Sequence, residues 1–104
     1  PDLETAVRCN VPVVTIVNNN SSLNQGMTSD EVGPNFPAET WHFNQVDFSK
    51  IARSLGAEGI RVEHAGELEG ALDRARAMNR PCVIDVVSDV NAQAPTAYLG
   101  DNAM

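Results

Sequence analysis

The residue types that could do chemistry are concentrated in one stretch, Asn18 to Ser22, which directly follows a run of β-branched residues. That run, Val11 to Val17, is continuously apolar and rich in Val and Ile, which predicts a strand buried on both faces. The three asparagines and two serines after it offer neutral oxygen atoms, which hard cations such as magnesium accept as ligands. Ligands of open α/β sheets bind at the carboxyl ends of strands, so this pattern favours a cation site there.

A second interpretation of the same residues is purely structural. Asn and Ser side chains bond to nearby backbone groups, and Asn tolerates left-handed backbone geometry, so the stretch can serve only to form a turn. The residue types by themselves leave both interpretations open.

Composition and charge narrow the class of protein. The chain has 104 residues, which indicates one domain at most, and its formal net charge of -7 argues against nucleic acid or an anionic membrane surface as a partner. No apolar run approaches the length of a membrane span, and no signal-peptide pattern is present, so we expect a cytoplasmic protein. Cys9 and Cys82 lack C-x-x-C spacing, and we expect both to be small core residues.

Cap residues and hydrophobic spacing predict three helices. Asp2 to Asn10 has the features of a helix end, Asp47 to Gly56 begins with a good N-cap, and Gly66 to Met78 carries acidic residues near its start and arginines near its end. The second helix has apolar residues at helical spacing, namely Phe48, Ile51, Ala52 and Leu55. The residues expected to face inward on the third helix are Leu68, Ala71, Leu72, Ala75 and Met78.

The order of elements predicts the fold class. Strands near 11 to 17, 60 to 63 and 82 to 87 are separated by helices near 47 to 55 and 66 to 79, and such crossover connections make a parallel sheet. We therefore predict an α/β fold of three layers, with a parallel sheet and flanking helices.

The two remaining stretches read as irregular. Leu23 to Gln45 is polar and contains Gly and Pro without a sustained period, so we expect a poorly ordered loop whose end is anchored by Trp41 to Phe43. We assign residues 1–90 to a domain and residues 91–104 to a mobile tail.

We expect structural rather than catalytic roles for three other polar residues. His42 and His64 have no flanking residues at metal-ligand spacing, so we expect surface or capping positions for both. Asp85 lies inside an apolar strand, where an ionised carboxylate needs a partner, and Arg61 is the candidate.

The segments in this order resemble the C-terminal part of the diphosphate-binding domain of thiamine diphosphate-dependent enzymes, closest in style to the acetolactate synthase and benzoylformate decarboxylase group. The resemblance lies in the order and spacing of the segments rather than in any one of them. The segments are 3–8, Pro12 to Asn19, Asp47 to Ala52 with Gly56, 61–63, 67–75, and Pro81 to Val86.

The resemblance implies a partial site for a metal and a diphosphate. In that family, the aspartate of a Gly-Asp-Gly triplet and the second asparagine of an Asn-Asn pair bind a divalent metal, and a main-chain carbonyl two residues on also binds it. Carried over to this chain, Asn19 would supply its side-chain oxygen and Ser21 its carbonyl, while Asn18 would shape the turn. The pair could also be Asn19 and Asn20; we take the first register because it directly follows Val17.

The same resemblance implies what the chain does not supply. The sequence contains no Gly-Asp-Gly triplet, and the family's catalytic glutamate lies in another domain of a neighbouring subunit, so we assign no catalytic residue. The implied function is part of an enzyme that uses thiamine diphosphate and Mg²⁺ to decarboxylate or join 2-oxo acids, with this chain inactive alone. Its implied partners are the remainder of the enzyme and a second subunit, which predicts a homo-oligomer.

A different class of function stays open. The chain could be a non-catalytic α/β module with a regulatory or interaction role that has kept the sheet and lost the chemistry. The segment Ser22 to Met27 also departs from the commoner family form, in which a Gly-Met pair follows the asparagines more closely, so the substrate stays open as well.

Overall fold

The computed structural model describes residues 1–23 and 41–92, and within them it contains three α-helices and three β-strands. A short 3-10 helix, Ala65–Glu67, leads into the third α-helix. In chain order the elements are α1 (Asp2–Arg8), β1 (Val14–Asn19), α2 (Phe48–Ser54), β2 (Glu58–Val62), α3 (Leu68–Met78) and β3 (Cys82–Val87).

The three strands form one sheet in the order β1-β3-β2, and both pairs are parallel. The predicted parallel sheet is therefore confirmed. In the register, Val17 of β1 and Arg61 of β2 are the Cα partners of Asp85 on the central strand. Because all three strands run the same way, their carboxyl ends lie at one edge of the sheet.

The first strand begins later and ends later than predicted. Residues 11–13 precede β1, and the strand continues through Asn18 and Asn19, which pair with the end of β3. Pro12 has no N–H to give to a ladder, and the Val13 N–H donates to the Val11 carbonyl, which accounts for the late start. Asn10, which follows the C-cap of α1, is in the left-handed region with a φ of 54°, as is common for asparagine at a helix end.

The prediction that this strand is buried on both faces is wrong. Within the described residues β1 is an edge strand with β3 as its neighbour, and Ile16 is 53% exposed. The buried strand is β3, whose first four residues are all buried. A continuous apolar run therefore marked a strand correctly but did not give its place in the sheet.

The second helix follows its cap signals. The Asp47 side chain accepts a hydrogen bond from the Lys50 N–H, and Gly56 has a φ of 90° just after the helix. Of the apolar residues at helical spacing, Ala52 is buried, whereas Ile51 is 45% exposed. The adjacent β2 begins at Glu58, two residues earlier than the predicted start near residue 60.

The third helix packs through small residues. Ala71 and Ala75 are buried and Leu68 and Leu72 are partly buried, as predicted, but Met78 is exposed. The last turn ends at Asn79, whose left-handed backbone turns the chain toward β3.

Helices cover both faces of the sheet, which confirms the three-layer fold. On one face, α3 packs on alternating residues of β2 and β3, including Ile60 and Ile84. On the other face, Ala52 of α2 and apolar residues of α1 pack against Val83 and Val17. The alternation of side chains along each strand separates the two cores.

The cysteines differ from one another. Cys82 is fully buried in the core, and burial raises the pKa of its thiol. Cys9 is exposed at the end of α1, so its assignment to the core is wrong.

The poorly ordered loop is predicted over residues 23–45 and the mobile tail over residues 91–104, and most of both, namely 24–40 and 93–104, lies outside the described residues. At the described ends of the loop, Ser22 and His42 form an antiparallel bridge, with the Leu23 N–H donating to the Trp41 carbonyl. This bridge holds the end of the loop beside the end of β1. None of the helices in the described part of the chain is both long and apolar enough to cross a membrane.

Candidate functional site

The predicted site lies at the carboxyl end of β1. Asn19, the last residue of that strand, is only 7% exposed. The residues after it border a cleft of about 130 Å³, which is lined by Val17 to Ser22 together with Phe43 and Phe48. The structure therefore brings Asn18, Asn19 and Ser21 to one concave surface at the edge of the sheet where α/β folds bind ligands.

Two consecutive asparagines close the turn at this point. The Ser21 N–H donates to Asn19 Oδ1 at 3.2 Å, and the Ser22 N–H donates to Asn20 Oδ1 at 3.0 Å. Ser21 has a φ of 55°, so the main chain reverses in the left-handed region. Asn19 and Asn20 therefore do form a turn, and Asn19 makes other hydrogen bonds as well.

Asn18 lies before the turn rather than in it. It is part of β1, and its Oδ1 accepts a hydrogen bond of 2.6 Å from the Ser88 hydroxyl. The Ser88 N–H also donates to the Asn19 carbonyl. Asn18 therefore ties the end of β1 to the segment that follows β3, while the side chains of Asn19 and Asn20 make the turn.

The carboxamide of Asn19 is held in one orientation. Its Nδ2 donates to the Val46 carbonyl and to Asp85 Oδ1, both at 2.9 Å. A carbonyl and a carboxylate can only accept, so the amide nitrogen must face them. The amide oxygen consequently faces the Ser21 N–H.

Asp85 joins four elements of the fold. It lies on β3 with no exposed surface, and its Oδ1 binds Asn19 of β1. Its Oδ2 accepts from the Phe48 N–H at the start of α2 at 3.0 Å and from Arg61 Nη1 of β2 at 2.8 Å. The predicted pairing of Arg61 with Asp85 is confirmed, and the buried charge has a cation and two further donors.

Arg61 lies among three carboxylates at this end of the sheet, namely Asp47, Glu63 and Asp85. Hydrogen bonding to Glu63, followed by the charges of Asp85 and Asp47, raises the pKa of the Arg61 guanidinium. The hydroxyl of Ser49, which donates to the carboxylate of Asp47, is the main cause that lowers the pKa of Asp47. Both groups are therefore charged at neutral pH.

The side-chain oxygen of Asn19 and the carbonyl oxygen of Ser21 are suitable as some of the ligands of a divalent cation. Asn19 Oδ1 accepts the Ser21 N–H and the Ser21 carbonyl accepts the Phe43 N–H at 2.7 Å, which leaves each oxygen a second lone pair. Neutral carbonyl oxygens are ligands that Mg²⁺ accepts, provided that phosphate oxygens or carboxylates supply negative charge. Within residues 1–23 and 41–92, no cluster of three or more His, Cys, Asp or Glu could bind a metal ion without added phosphate oxygens or carboxylates.

Sequence reasoning missed the link between Asn19 and Asp85. Asp85 is a lone carboxylate in an apolar strand, which indicated that it needs a partner and correctly predicted its pairing with Arg61. The partner in β1 lies 66 positions away, and only the strand register places the two side chains on the same face. His42 and His64 are exposed, in agreement with their predicted surface positions.

Comparison with known proteins places the chain in a family. Residues 1–86 match the family model described as the thiamine pyrophosphate enzyme C-terminal TPP-binding domain. The 2-hydroxyacyl-CoA lyase of Oryza sativa subsp. japonica is 36% identical over 94% of this chain, and the acetolactate synthase of Bacillus subtilis is 34% identical over 85% of it. The oxalyl-CoA decarboxylase of Escherichia coli is 26% identical over 94% of the chain.

The chain spans only a small part of these relatives, namely 18% of the length of the rice enzyme, 15% of the Bacillus enzyme and 17% of the Escherichia coli enzyme. The matched part nevertheless includes every strand and helix described above except the final residue of β3. Thiamine diphosphate and Mg²⁺ are the cofactors that this match implies for the intact enzyme. The chain belongs to the thiamine pyrophosphate enzymes, as part of their C-terminal TPP-binding domain.

Proposed function

We propose that this chain supplies part of the metal and diphosphate site of an enzyme that decarboxylates or joins 2-oxo acids. In this proposal the Asn19 side-chain oxygen and the Ser21 carbonyl bind Mg²⁺, and Asn18, near the end of β1 and just before the turn, lines the diphosphate-binding surface. When bound, thiamine diphosphate would supply the carbanion-stabilising chemistry, and the protein would supply binding, orientation and exclusion of water.

The observation that carries the proposal is the fixed amide of Asn19. This side chain is buried, its nitrogen is bonded to two acceptors, and its oxygen lies on the turn side at the carboxyl end of β1. A turn alone needs only one bond from an asparagine oxygen, as Asn20 makes. The two hydrogen bonds from the Asn19 amide nitrogen fix this side chain in one orientation, as a preorganised metal ligand requires.

The same contrast supports the choice of register. Asn19 is 7% exposed and is joined to Asp85, whereas Asn20 is only half-buried and its oxygen bonds to Ser22. We therefore assign the metal-binding asparagine to position 19 and the carbonyl to Ser21 rather than to Ser22.

The reaction class follows the names of the relatives. They include a synthase, a lyase and a decarboxylase, and the first two are 34% and 36% identical to this chain. Such similar identities support a common chemistry of making and breaking a bond beside a carbonyl carbon, and they favour no single substrate. Acetolactate synthase-like activity on 2-oxo acids is the form of this chemistry that we propose.

The proposal also covers partners and location. Two neutral oxygens leave the charge of a diphosphate and its metal unbalanced, and a net charge of -7 repels an anionic cofactor further. We expect the chain to act only with the remainder of the enzyme and a second subunit, in the cytoplasm, and to be inactive alone. The domain would end near residue 90, with residues 91–104 as a tail.

Calorimetry tests the assignment in the full-length enzyme, with Mg²⁺ titrated in the presence of thiamine diphosphate. Asn19→Ala should weaken metal-dependent cofactor binding by roughly tenfold or more, because it removes a metal ligand. Asn20→Ala, which removes the neighbouring turn-forming side chain, is the matched control and should have a much smaller effect. If Asn20→Ala weakens binding more than Asn19→Ala does, the register is wrong.

The same titration on the 104-residue chain tests whether its part of the site is sufficient, and the full-length protein separates the proposal from its alternative. We expect the chain alone to bind magnesium and thiamine diphosphate weakly or not at all. Tight binding by the chain alone would show that the site is placed incorrectly. A full-length protein that neither binds the cofactor nor turns over 2-oxo acids would favour the non-catalytic module.

A further inference from the structure

We infer that Asp85 is a positioning residue, which sets the rotation of the Asn19 carboxamide so that oxygen rather than nitrogen is presented at the end of β1. The inference rests on the proposed function of Asn19 as a metal ligand. It assigns to Asp85 a role that neither its buried position nor its pairing with Arg61 requires.

The rotation of an amide is decided by its hydrogen bonds. The oxygen and nitrogen of a carboxamide are nearly equal in size, so packing alone does not distinguish the two orientations. At Asn19, two acceptors face the nitrogen and one N–H donor faces the oxygen. The reverse orientation would place oxygen against a carboxylate and a carbonyl, and nitrogen against an N–H.

Asp85 provides the stronger of these restraints. A hydrogen bond to a carboxylate is about twice as strong as one between neutral groups. Asp85 Oδ2 is already occupied by Arg61 and the Phe48 N–H, which fixes the carboxylate and turns Oδ1 toward Asn19. Residues of β3, α2 and β2 therefore hold Asp85 Oδ1 in position to accept a hydrogen bond from the Asn19 amide.

The substitution Asp85→Asn tests this arrangement with almost no change in shape. The new amide oxygen should face the donors Arg61 and Phe48, so the new amide nitrogen should face Asn19. Two amide nitrogens then oppose each other, and Asn19 relieves the contact by rotating, which removes its oxygen from the metal position. We expect Mg²⁺-dependent binding of thiamine diphosphate by the full-length enzyme to weaken by roughly 10- to 100-fold.

A reciprocal substitution separates positioning from a general structural effect. In the double variant Asn19→Asp with Asp85→Asn, a carboxylate at position 19 accepts from the new amide nitrogen and presents its other oxygen to the metal, although the accepting oxygen also lies against the Val46 carbonyl and makes the recovery incomplete. We expect this exchange to recover much of the Mg²⁺-dependent affinity lost in Asp85→Asn. A purely structural role predicts no recovery beyond the gain that Asn19→Asp gives by itself, because position 85 is equally altered in both variants and a carboxylate is in any case a stronger Mg²⁺ ligand than an amide.

Glu63→Gln serves as the matched control. It removes another carboxylate that binds Arg61, at 3.1 Å, but one that is exposed and does not contact Asn19. Its Mg²⁺-dependent affinity should equal that of the unmodified enzyme. An unchanged affinity in Asp85→Asn, or a loss that the reciprocal exchange does not recover, would overturn the inference.

A measurement on the unmodified chain covers the case in which Asp85→Asn fails to fold. Both hydrogens of Asn19 Nδ2 are bonded, so in NMR spectra of the 104-residue chain this side-chain amide should exchange with water far more slowly than exposed asparagine amides. Fast exchange at Asn19 would overturn the inference. Slow exchange combined with an Asn19→Ala enzyme of unchanged affinity would instead refute the proposed metal ligand and leave the orientation intact.

Discussion

Arg61 and Asp85 are direct register partners on neighbouring strands, and Arg61 Nη1 lies 2.8 Å from Asp85 Oδ2. The aspartate has no exposed surface, whereas a quarter of the arginine side chain is exposed. The ion pair thus joins a fully buried carboxylate to a guanidinium group that is partly exposed to water. Without the guanidinium, the carboxylate would be a buried charge with only neutral donors.

This relationship predicts a marked loss of stability in Arg61→Met, which keeps much of the apolar stem and removes the charge. Removing one partner of a buried ion pair costs about 3 to 5 kcal/mol, and we expect the lower end because the arginine is partly exposed to water. Urea unfolding measures the change. Glu63→Gln, at the exposed pair, should cost less than about 1 kcal/mol, and equal losses in the two variants would contradict the prediction.

The close approach of β2 to α2 predicts that Gly59 cannot be replaced without cost. A Cβ at this position would overlap the main chain of Ser49, which is 1% exposed and cannot move aside. Gly59→Ala should destabilise the chain by about 1 to 3 kcal/mol. Gly70→Ala is the control, because a Cβ there meets nothing within 4 Å and α3 should gain about 0.5 to 1 kcal/mol. A neutral Gly59→Ala would place β2 farther from α2 than observed.

The lowered pKa of Asp47 predicts a specific loss of stability in acid. The Ser49 hydroxyl is the main cause of the shift, with the Lys50 N–H and the charges of Arg61 and Lys50 also lowering the pKa. Because the folded-state pKa is below the ordinary value of 3.8, its contribution is complete above that pH and is lost as the pH falls through the folded-state pKa.

Asp47→Asn tests the charge while keeping a good N-cap residue. The difference in unfolding free energy between the unmodified chain and this variant should be constant above about pH 5 and should shrink below it. Urea unfolding between about pH 2 and pH 6 measures the difference. A difference that is independent of pH would show that Asp47 acts only as a cap.

The exposed edge at β1 predicts that the 104-residue chain associates with itself. Val11, Val13 and Ile16 are 50%, 41% and 53% exposed, and β1 pairs on one side only within the described sheet. Unpaired strand edges with apolar side chains recruit other chains. Light scattering should detect a dimer or larger species that dissociates on dilution.

Ile16→Lys should reduce this association, because a charge on an edge strand opposes pairing. Ile51→Lys is the matched control, since Ile51 is 45% exposed but lies on α2, away from the strand edge. A monomer at high concentration, or an equal effect of the two variants, would show that the edge of β1 does not drive association.

Local chemistry by itself determined most of the secondary structure. Asp47 and Gly56 bound α2 because an N-cap oxygen and a left-handed glycine act on their immediate neighbours. The run from Cys82 to Val87 gave β3 with correct bounds, and intervening helices required parallel strands. The family resemblance, which depends on the order of such segments, could likewise be stated from the sequence and is confirmed by the matched residues.

Tertiary structure decided what depends on neighbours distant in the chain. An apolar run does not state which strands will flank it, so the edge position of β1 and the exposure of Ile16 became evident only in the assembled sheet. The orientation of the Asn19 amide depends on Val46 and Asp85, which lie 27 and 66 positions away. Hydrogen bonds act over about 3 Å, and it is the pairing of β1 with β3 that brings these groups within that distance.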